Sequence, residues 1–190
     1  MADTETKAPE TRPTEEVLAE LQAQLSKHER GSARHKKLVI VAWGGDLDRV
    51  WPTFILGTTG AAMGMDTTIF FTFWGLFPLV KNEVRITGEN WMQKMMSAMN
   101  RGGTDHLGLS KMNFAGAGPA MMKKLADEHH VASPQELLEV ARDLGVKLVP
   151  CQMTMDLLGL TKDDLIDGID PPAGATTMLM EAQEAVTFFI

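Results

Sequence analysis

Residues 38–42 read LVIVA, an unbroken run of apolar and mostly β-branched side chains. Such a run, without alternating polar residues, is typical of a parallel strand that is covered on both faces. The turn-forming residues 43–46 (WGGD) follow it, and residues 47–63 have the small and apolar composition of a buried helix. This strand, turn and helix together predict an α/β fold.

The same alternation of strand-like and helix-like segments continues to the end of the chain. The sequence predicts strands over residues 67–73, 146–149 and 186–190. It predicts helices over 91–100, from after Gly118-Pro119 to about His129, over 134–144 and within 174–184. This order predicts an open, mainly parallel sheet with helices on both faces and right-handed crossovers. Sites in such sheets lie beyond the carboxyl ends of the strands, which here are followed by loops 43–46, 74–78 and 150–154.

Residues 133–136 (SPQE) are a capping box with proline at the first helical position. The Ser133 hydroxyl is expected to accept the N–H of Glu136 while the Glu136 carboxylate accepts the N–H of Ser133. Gly145 is expected to end this helix.

The first 35 residues differ in composition from the rest. Residues 1–13 are polar, contain two prolines and are predicted to be a disordered tail. Residues 14–30 are predicted to form an amphipathic helix, whose narrow apolar stripe docks either on its own domain or on another subunit. Residues 36–190 are predicted to form one α/β domain.

Composition and charge limit the function. The chain has 190 residues, 44% of them hydrophobic, and a formal net charge of −7. An acidic chain argues against a nucleic-acid surface. Residues 151–190 carry seven acidic side chains and one lysine, which either keep the protein in solution or attract a basic partner.

The sequence predicts a cytoplasmic protein without a membrane span. Residues 1–37 contain no apolar core of a secretory signal, and a single cysteine suits a reducing compartment. Asp66 divides the apolar residues 50–80 into runs of sixteen and fourteen, each shorter than the roughly 20 residues of a spanning helix.

Cys151 is the only cysteine, and it stands between a strand-like and a helix-like segment. The N–H groups of a helix's first turn stabilise a thiolate, so the position favours a nucleophile. The alternative is a small buried hydrophobe. A single cysteine cannot form an internal disulfide, and the five histidines lie in segments that do not suggest a metal site.

Asp46, Asp48 and Arg49 follow a Gly-Gly pair but lack the rest of a nucleotide-binding fingerprint. We expect them to cap the following helix and to form a surface ion pair.

Three motifs occur in order with matching spacing: residues 45–49 (GDLDR), 70–76 (FFTFWGL) and 151–160 (CQMTMDLLGL). With the closing residues 186–190 (VTFFI), they resemble the DsrE/DsrF/DsrH-like family, and in particular its single-chain branch that is often labelled "peroxiredoxin family protein". The resemblance extends from about residue 36 to residue 190.

The resemblance implies a homo-oligomeric sulfur carrier or sulfurtransferase with Cys151 as the persulfide-bearing residue. It implies no metal or redox cofactor, and donor and acceptor proteins of the TusA-like or rhodanese-like kind. The pocket that it implies is lined by Gly44, Gly45, Trp74, Gly75, Met153 and Thr154, with Met153 and Met155 shielding the persulfide from water. The glycines are otherwise ordinary turn residues, and Trp74 is otherwise a core residue.

Two other functions remain open at this stage. A thiol peroxidase would oxidise the cysteine to a sulfenic acid, but peroxiredoxins resemble Pro-x-x-x-Thr-x-x-Cys, and residues 146–150 (VKLVP) lack that pattern. The other alternative is a non-enzymatic, oligomeric interaction protein with an inert Cys151.

Overall fold

A single parallel sheet organises the part of the chain that the computed structural model describes, residues 36–82 and 102–190. Its strand order is β3-β2-β1-β4, and every neighbouring pair is parallel. The strands are β1 (Lys37–Ala42), β2 (Asp66–Phe71), β3 (Lys147–Pro150) and β4 (Ala185–Phe189).

Helical segments alternate with these strands. The α-helices in the described residues are α1 (Leu47–Ala62), α2 (Ala117–Glu128), α3 (Pro134–Asp143), α4 (Gln152–Leu158) and α5 (Ala175–Glu181), and short 3₁₀ segments cover Phe73–Leu79, Thr104–His106, Phe114–Gly116 and Lys162–Asp164. The predicted α/β class with a parallel sheet is therefore confirmed. The predicted tail 1–13 and the predicted helices 14–30 and 91–100 lie outside the described residues, whereas Lys36–Ile190 makes up one compact unit.

The apolar run 38–42 is buried on both faces, as its composition predicts, and each of its residues is at most 4% exposed. On one face, α1 packs on β1 and β2, and α3 packs on α1. The side chains of this main core include Leu38, Ile40, Ala42, Phe54, Ile69, Phe71, Leu138 and Leu148. On the other face, Val41, Phe70 and Cys151 form a second cluster, with Val149, Ala173 and Met178 packed against it.

β4 is the edge strand of the sheet and pairs with β1. Ala185 is half-buried, but the remaining side chains of β4 are exposed, including Val186, Phe188 and Phe189. No helix in the described part of the chain is long and apolar enough to cross a membrane.

The structure corrects two predicted boundaries. The strand predicted over 67–73 ends at Phe71, because Phe73 has a positive φ of 47°. The loop predicted over 74–78 lies within a 3₁₀ segment. The helix predicted within 174–184 is confirmed as Ala175–Glu181, and the chain turns at Glu184, which has a positive φ of 59°.

The predicted capping box at Ser133 is confirmed. The Ser133 Oγ accepts the backbone N–H of Glu136 at 3.2 Å, and the Glu136 carboxylate accepts the N–H of Ser133 at 2.7 Å. These hydrogen bonds to the carboxylate lower the pKa of Glu136. Gly145 follows α3 in the left-handed region, with a φ of 74°, which glycine adopts without strain.

Gly75 fixes the 3₁₀ segment against the end of β1. Its N–H donates to the carbonyl oxygen of Trp43 at 3.0 Å. A Cβ atom at this position would lie 2.6 Å from the carbonyl carbon of Ala42 and 3.0 Å from the backbone nitrogen of Trp43. Because these obstacles are backbone atoms, only glycine allows so close an approach.

We predict that Gly75→Ala lowers the free energy of unfolding by about 1–3 kcal/mol, the usual cost of overpacking a tight site. Chemical denaturation of both proteins measures the difference. Gly108→Ala is the matched control, because the nearest atom to a Cβ there, Asn113 Nδ2, lies 3.4 Å away, which is an ordinary van der Waals contact. Equal destabilisation by the two substitutions would show that the close approach of Gly75 is unimportant.

We also predict that Ser133→Ala lowers the free energy of unfolding by about 1 kcal/mol, because an N-cap hydroxyl is lost. Ser133→Thr keeps the hydroxyl and should retain most of the stability. Urea unfolding curves that coincide for the wild type and Ser133→Ala would contradict this role of the capping box.

Candidate functional site

The segments that follow β1, β2 and β3 meet at the carboxyl edge of the sheet. The N–H of Thr72 donates to Ala42 O at 2.9 Å, and the N–H of Cys151 donates to Phe71 O at 2.8 Å. These bonds continue the parallel ladders one step beyond the strands. Residues from the three predicted loops are thereby brought together.

Cys151 lies directly after β3 and is the N-cap residue of α4. Its N–H is held by Phe71, and its carbonyl oxygen accepts the N–H of Met155 at 3.0 Å. The side chain is 4% exposed and packs with Val41 and Phe70. The thiol is therefore fixed in position and shielded from solvent.

No backbone N–H in the first turn of α4 donates a capping hydrogen bond to the Cys151 sulfur. One N–H of that turn, from Gln152, donates instead to Ala173 O at 3.0 Å. Cys151 is therefore an N-cap residue without a side-chain capping hydrogen bond.

Thr154 connects the end of β2 to the start of α4. This side chain is buried, and its Oγ1 accepts the backbone N–H of Phe73 at 3.1 Å. The same oxygen lies 3.1 Å from Thr72 Oγ1, so the two hydroxyls share a hydrogen bond. Thr154 thus holds in place the left-handed backbone of Phe73.

Thr72 and Phe73 are site residues that the sequence analysis missed. Both lie inside the motif FFTFWGL of residues 70–76, where Thr72 is the one hydroxyl in a run of apolar and aromatic residues. A polar side chain at the end of a buried strand requires a hydrogen-bond partner. The single hydroxyl at the end of a buried strand was therefore the sequence signal that could have identified Thr72.

The register of the sheet places Trp43 on the same face as Cys151. Val149, Phe70 and Val41 are aligned across β3, β2 and β1, and side chains two residues further along a strand return to the same face. Cys151, Thr72 and Trp43 are those next residues. Trp43 therefore lies two strands away from the thiol, with Thr72 between them.

Trp43 is part of an exposed aromatic group that the sequence analysis did not single out. Its ring stacks on Phe189, with centroids 6.1 Å apart, and the Arg49 guanidinium lies 4.5 Å from its centroid. A guanidinium at this distance is favourably placed over an aromatic ring.

The predicted pocket residues have different surroundings. A Cβ at Gly45 would lie 2.5 Å from Trp74 O, so this glycine permits a close backbone approach, whereas a Cβ at Gly44 would meet the flexible side chain of Arg49. Trp74 is 39% exposed and stacks on Phe77, with centroids 5.9 Å apart. Trp74 is therefore a partly exposed side chain and not a core residue.

The two methionines beside Thr154 do not both face the thiol. Met153 is 69% exposed, and Met155 is 2% exposed and belongs to the main core. Cys151 belongs to the cluster on the opposite face of the sheet. The prediction that Met155 shields the sulfur is wrong, because its position in α4 directs its side chain to the other face.

The acidic residues before α1 form polar contacts at the surface. Asp46 lies 3.9 Å from Arg49, which agrees with the predicted ion pair. Asp46 occupies the N-cap position without a side-chain capping bond, so the predicted capping is wrong. Partial burial, with the nearby carboxylate of Asp48, raises the pKa of Asp46, and Arg49 opposes this.

Asp48 binds outside its own helix. Its carboxylate accepts the N–H of Ser110 at 2.9 Å and the hydroxyl of Ser110 at 2.5 Å. Partial burial favours the neutral acid, but these hydrogen bonds outweigh it and lower the pKa of Asp48. Among the described residues, no three His, Cys, Asp or Glu side chains are grouped to hold a metal ion.

A cavity of about 190 Å³ lies elsewhere, lined by residues that include Trp51, Thr104, Lys123 and Gln135. None of the predicted site residues lines it.

Comparison with known proteins gives a family for the chain. A model described as the DsrE/DsrF/DrsH-like family matches residues 34–189. The Bacillus subtilis (strain 168) protein YrkE is 44% identical over 156 residues, covering 82% of this chain and 97% of YrkE. A protein of Allochromatium vinosum named "Sulfur carrier protein DsrE2" is 36% identical over 162 residues, covering 82% of this chain and 98% of that protein.

A solved structure supports the fold alone. The crystal structure of the ychN protein from E. coli superposes with a TM-score of 0.51 at 14% identity, covering 82% of this chain and 99% of that one. With the family model matching most of the sequence, the chain belongs to the DsrE/DsrF/DrsH-like family.

Proposed function

We propose that this protein is a sulfur carrier of the sulfurtransferase type, which holds sulfane sulfur as a persulfide on Cys151. The observation that carries the proposal is the position of the only cysteine, fixed at the carboxyl edge of a parallel sheet. A relative that is 36% identical and bears the name sulfur carrier supports it. The proposal extends to a role in sulfur trafficking or oxidation.

The proposed chemistry is an exchange of sulfur–sulfur bonds. The Cys151 thiolate attacks the outer sulfur of a donor persulfide, R–S–SH, and the S–S bond breaks to release R–S⁻ and leave Cys151–S–SH. An acceptor thiolate, R′–S⁻, then attacks that outer sulfur, forms R′–S–SH and returns the Cys151 thiolate. Each step exchanges one S–S bond for another, so no external oxidant or reductant is consumed.

The surroundings of Cys151 suit storage of a reactive sulfur. Val41 and Phe70 pack against the thiol, and both are buried. Apolar side chains that keep water and oxidants from a persulfide prolong its life, since oxidation of sulfur depends on access. Thr154 and Thr72 hold together the two segments that flank this cluster.

We infer that donor and acceptor are proteins of the TusA-like or rhodanese-like kind, that the carrier acts in the cytoplasm, and that it forms homo-oligomers. A small-molecule persulfide as donor is equally compatible with the exchange chemistry. The absence of a second cysteine in the chain requires that every sulfur partner belong to another molecule.

The competing function is a non-enzymatic interaction protein in which Cys151 only fills space. The low exposure of the thiol, 4%, is the observation that favours it. Free cysteines are commonly buried as small hydrophobes. The two functions differ in whether the thiol accepts sulfur and passes it on.

We predict that the reduced protein gains sulfur on Cys151 when it is incubated with polysulfide, and that a TusA-like acceptor then removes it. Intact-mass measurement of both proteins follows the transfer. Cys151→Ser should gain none. Cys151→Ser combined with Met63→Cys is the matched control, because position 63 is highly exposed and its persulfide should be lost sooner.

Loading without transfer to any acceptor would contradict the carrier function, as would a thiol that stays unmodified. Rapid turnover of peroxide under the same conditions would favour the peroxidase instead.

We predict that Thr154→Val slows sulfur loading and lowers the free energy of unfolding by about 1–3 kcal/mol, because the part-buried N–H of Phe73 loses its acceptor. Thr154→Ser keeps the hydroxyl and should behave like the wild type. Loading kinetics and denaturation of the three proteins test this, and indistinguishable Val and Ser variants would exclude the role given to the Thr154 hydroxyl.

A further inference from the structure

The thiol of Cys151 is covered by the segment between β3 and β4. Met178 of α5 and Ala173, just before α5, pack against the cluster of Val41, Phe70 and Cys151. The Cys151 residue is 4% exposed. Its sulfur therefore cannot line up with the S–S bond of a second protein for the exchange. Some covering group must therefore move before any exchange at this cysteine.

α5 is held weakly by its own side chains. None of its seven residues is buried; Met178 and Glu181 are half-buried, and Met178 is the one that packs against the cluster. Its neighbours Leu179 and Met180 are exposed. Elements with few buried apolar contacts open at a small free-energy cost.

Backbone hydrogen bonds hold the chain on both sides of α5. Before α5, the N–H of Ala173 donates to Pro150 O at 3.0 Å, and the carbonyl of Ala173 accepts the N–H of Gln152. After α5, the chain returns to the sheet as β4, paired with β1. Gly174, with open space around it, and Glu184, with a positive φ of 59°, lie at the two junctions.

An ionic contact holds the last turn of α5 to the sheet. The Glu181 carboxylate lies 3.4 Å from Lys147 Nζ and 4.0 Å from Lys37 Nζ. The two lysines begin β3 and β1. All three side chains are partly exposed, so salt weakens this contact.

We propose that α5 is a movable cover over Cys151, with Met178 as its inner contact and Glu181 as its ionic fastening to Lys37 and Lys147. Displacement of α5 about Gly174 and Glu184 exposes the thiol, and the sheet remains intact. The cover has a role in sulfur transfer only if the proposed function is correct.

Alkylation of the single cysteine tests the cover without any sulfur chemistry. Iodoacetamide is added in excess to the full chain, and intact mass follows modification of Cys151 with time. Glu181→Gln should raise the rate about two- to five-fold, the factor that a partly exposed ion pair contributes. Met178→Ala should raise it about ten-fold, since the contact with the cluster is lost.

Two controls separate the cover from general loosening. Glu128→Gln removes a comparable exposed ion pair, that of Lys124 and Glu128 at 4.0 Å in α2, and should leave the rate unchanged. Met178→Leu retains an apolar side chain and should stay within about two-fold of the wild type. Added salt should speed alkylation of the wild type more than that of Glu181→Gln.

Equal alkylation rates in the wild type, Glu181→Gln and Met178→Ala would overturn the proposal. So would rates that rise in proportion to a fall in global stability, measured by urea unfolding of each variant. If the rates change as expected but Cys151 neither loads nor transfers sulfur, the cover stands and the proposed function fails.

Discussion

β1 has an apolar side chain at every position from 38 to 42, so both of its faces must be covered. The helices α1 and α3 supply the thick layer on one side. Among residues 36–82 and 102–190, the group on the other side is much smaller, and Met178 and the thiol of Cys151 belong to it. Burial of this one strand on both faces thus encloses the only cysteine of the chain in that smaller group.

Much of the fold could be predicted because short-range signals and the sheet agree. The run at 38–42 and the capping box at Ser133 each specify a local structure that tertiary packing reinforces. The end of β2 could not be read in the same way, because Phe73 has the composition of a strand residue but a left-handed backbone. Its hydrogen bond to Thr154, 81 positions away, was invisible to any local pattern.

The sequence indicated the reactive residue of the candidate site, but it indicated fewer of the side chains that surround it. The uniqueness of Cys151 and its place after a strand were plain in the sequence, and the motifs indicated the loops beside it. Which face of α4 each methionine occupies was not, since one residue of shift in a short helix exchanges core for solvent. The Trp43 and Phe189 stack joins residues 146 positions apart, a contact that depends on the pairing of β1 with β4.

The backbone conformation and the exposed ring of Phe73 both lower the stability of the fold. A left-handed backbone costs a non-glycine residue on the order of 1 kcal/mol, and the Phe73 ring is half exposed to water. Glycine would remove both penalties at once. The left-handed backbone at position 73 is therefore maintained by the hydrogen bond to Thr154, against the preference of phenylalanine itself.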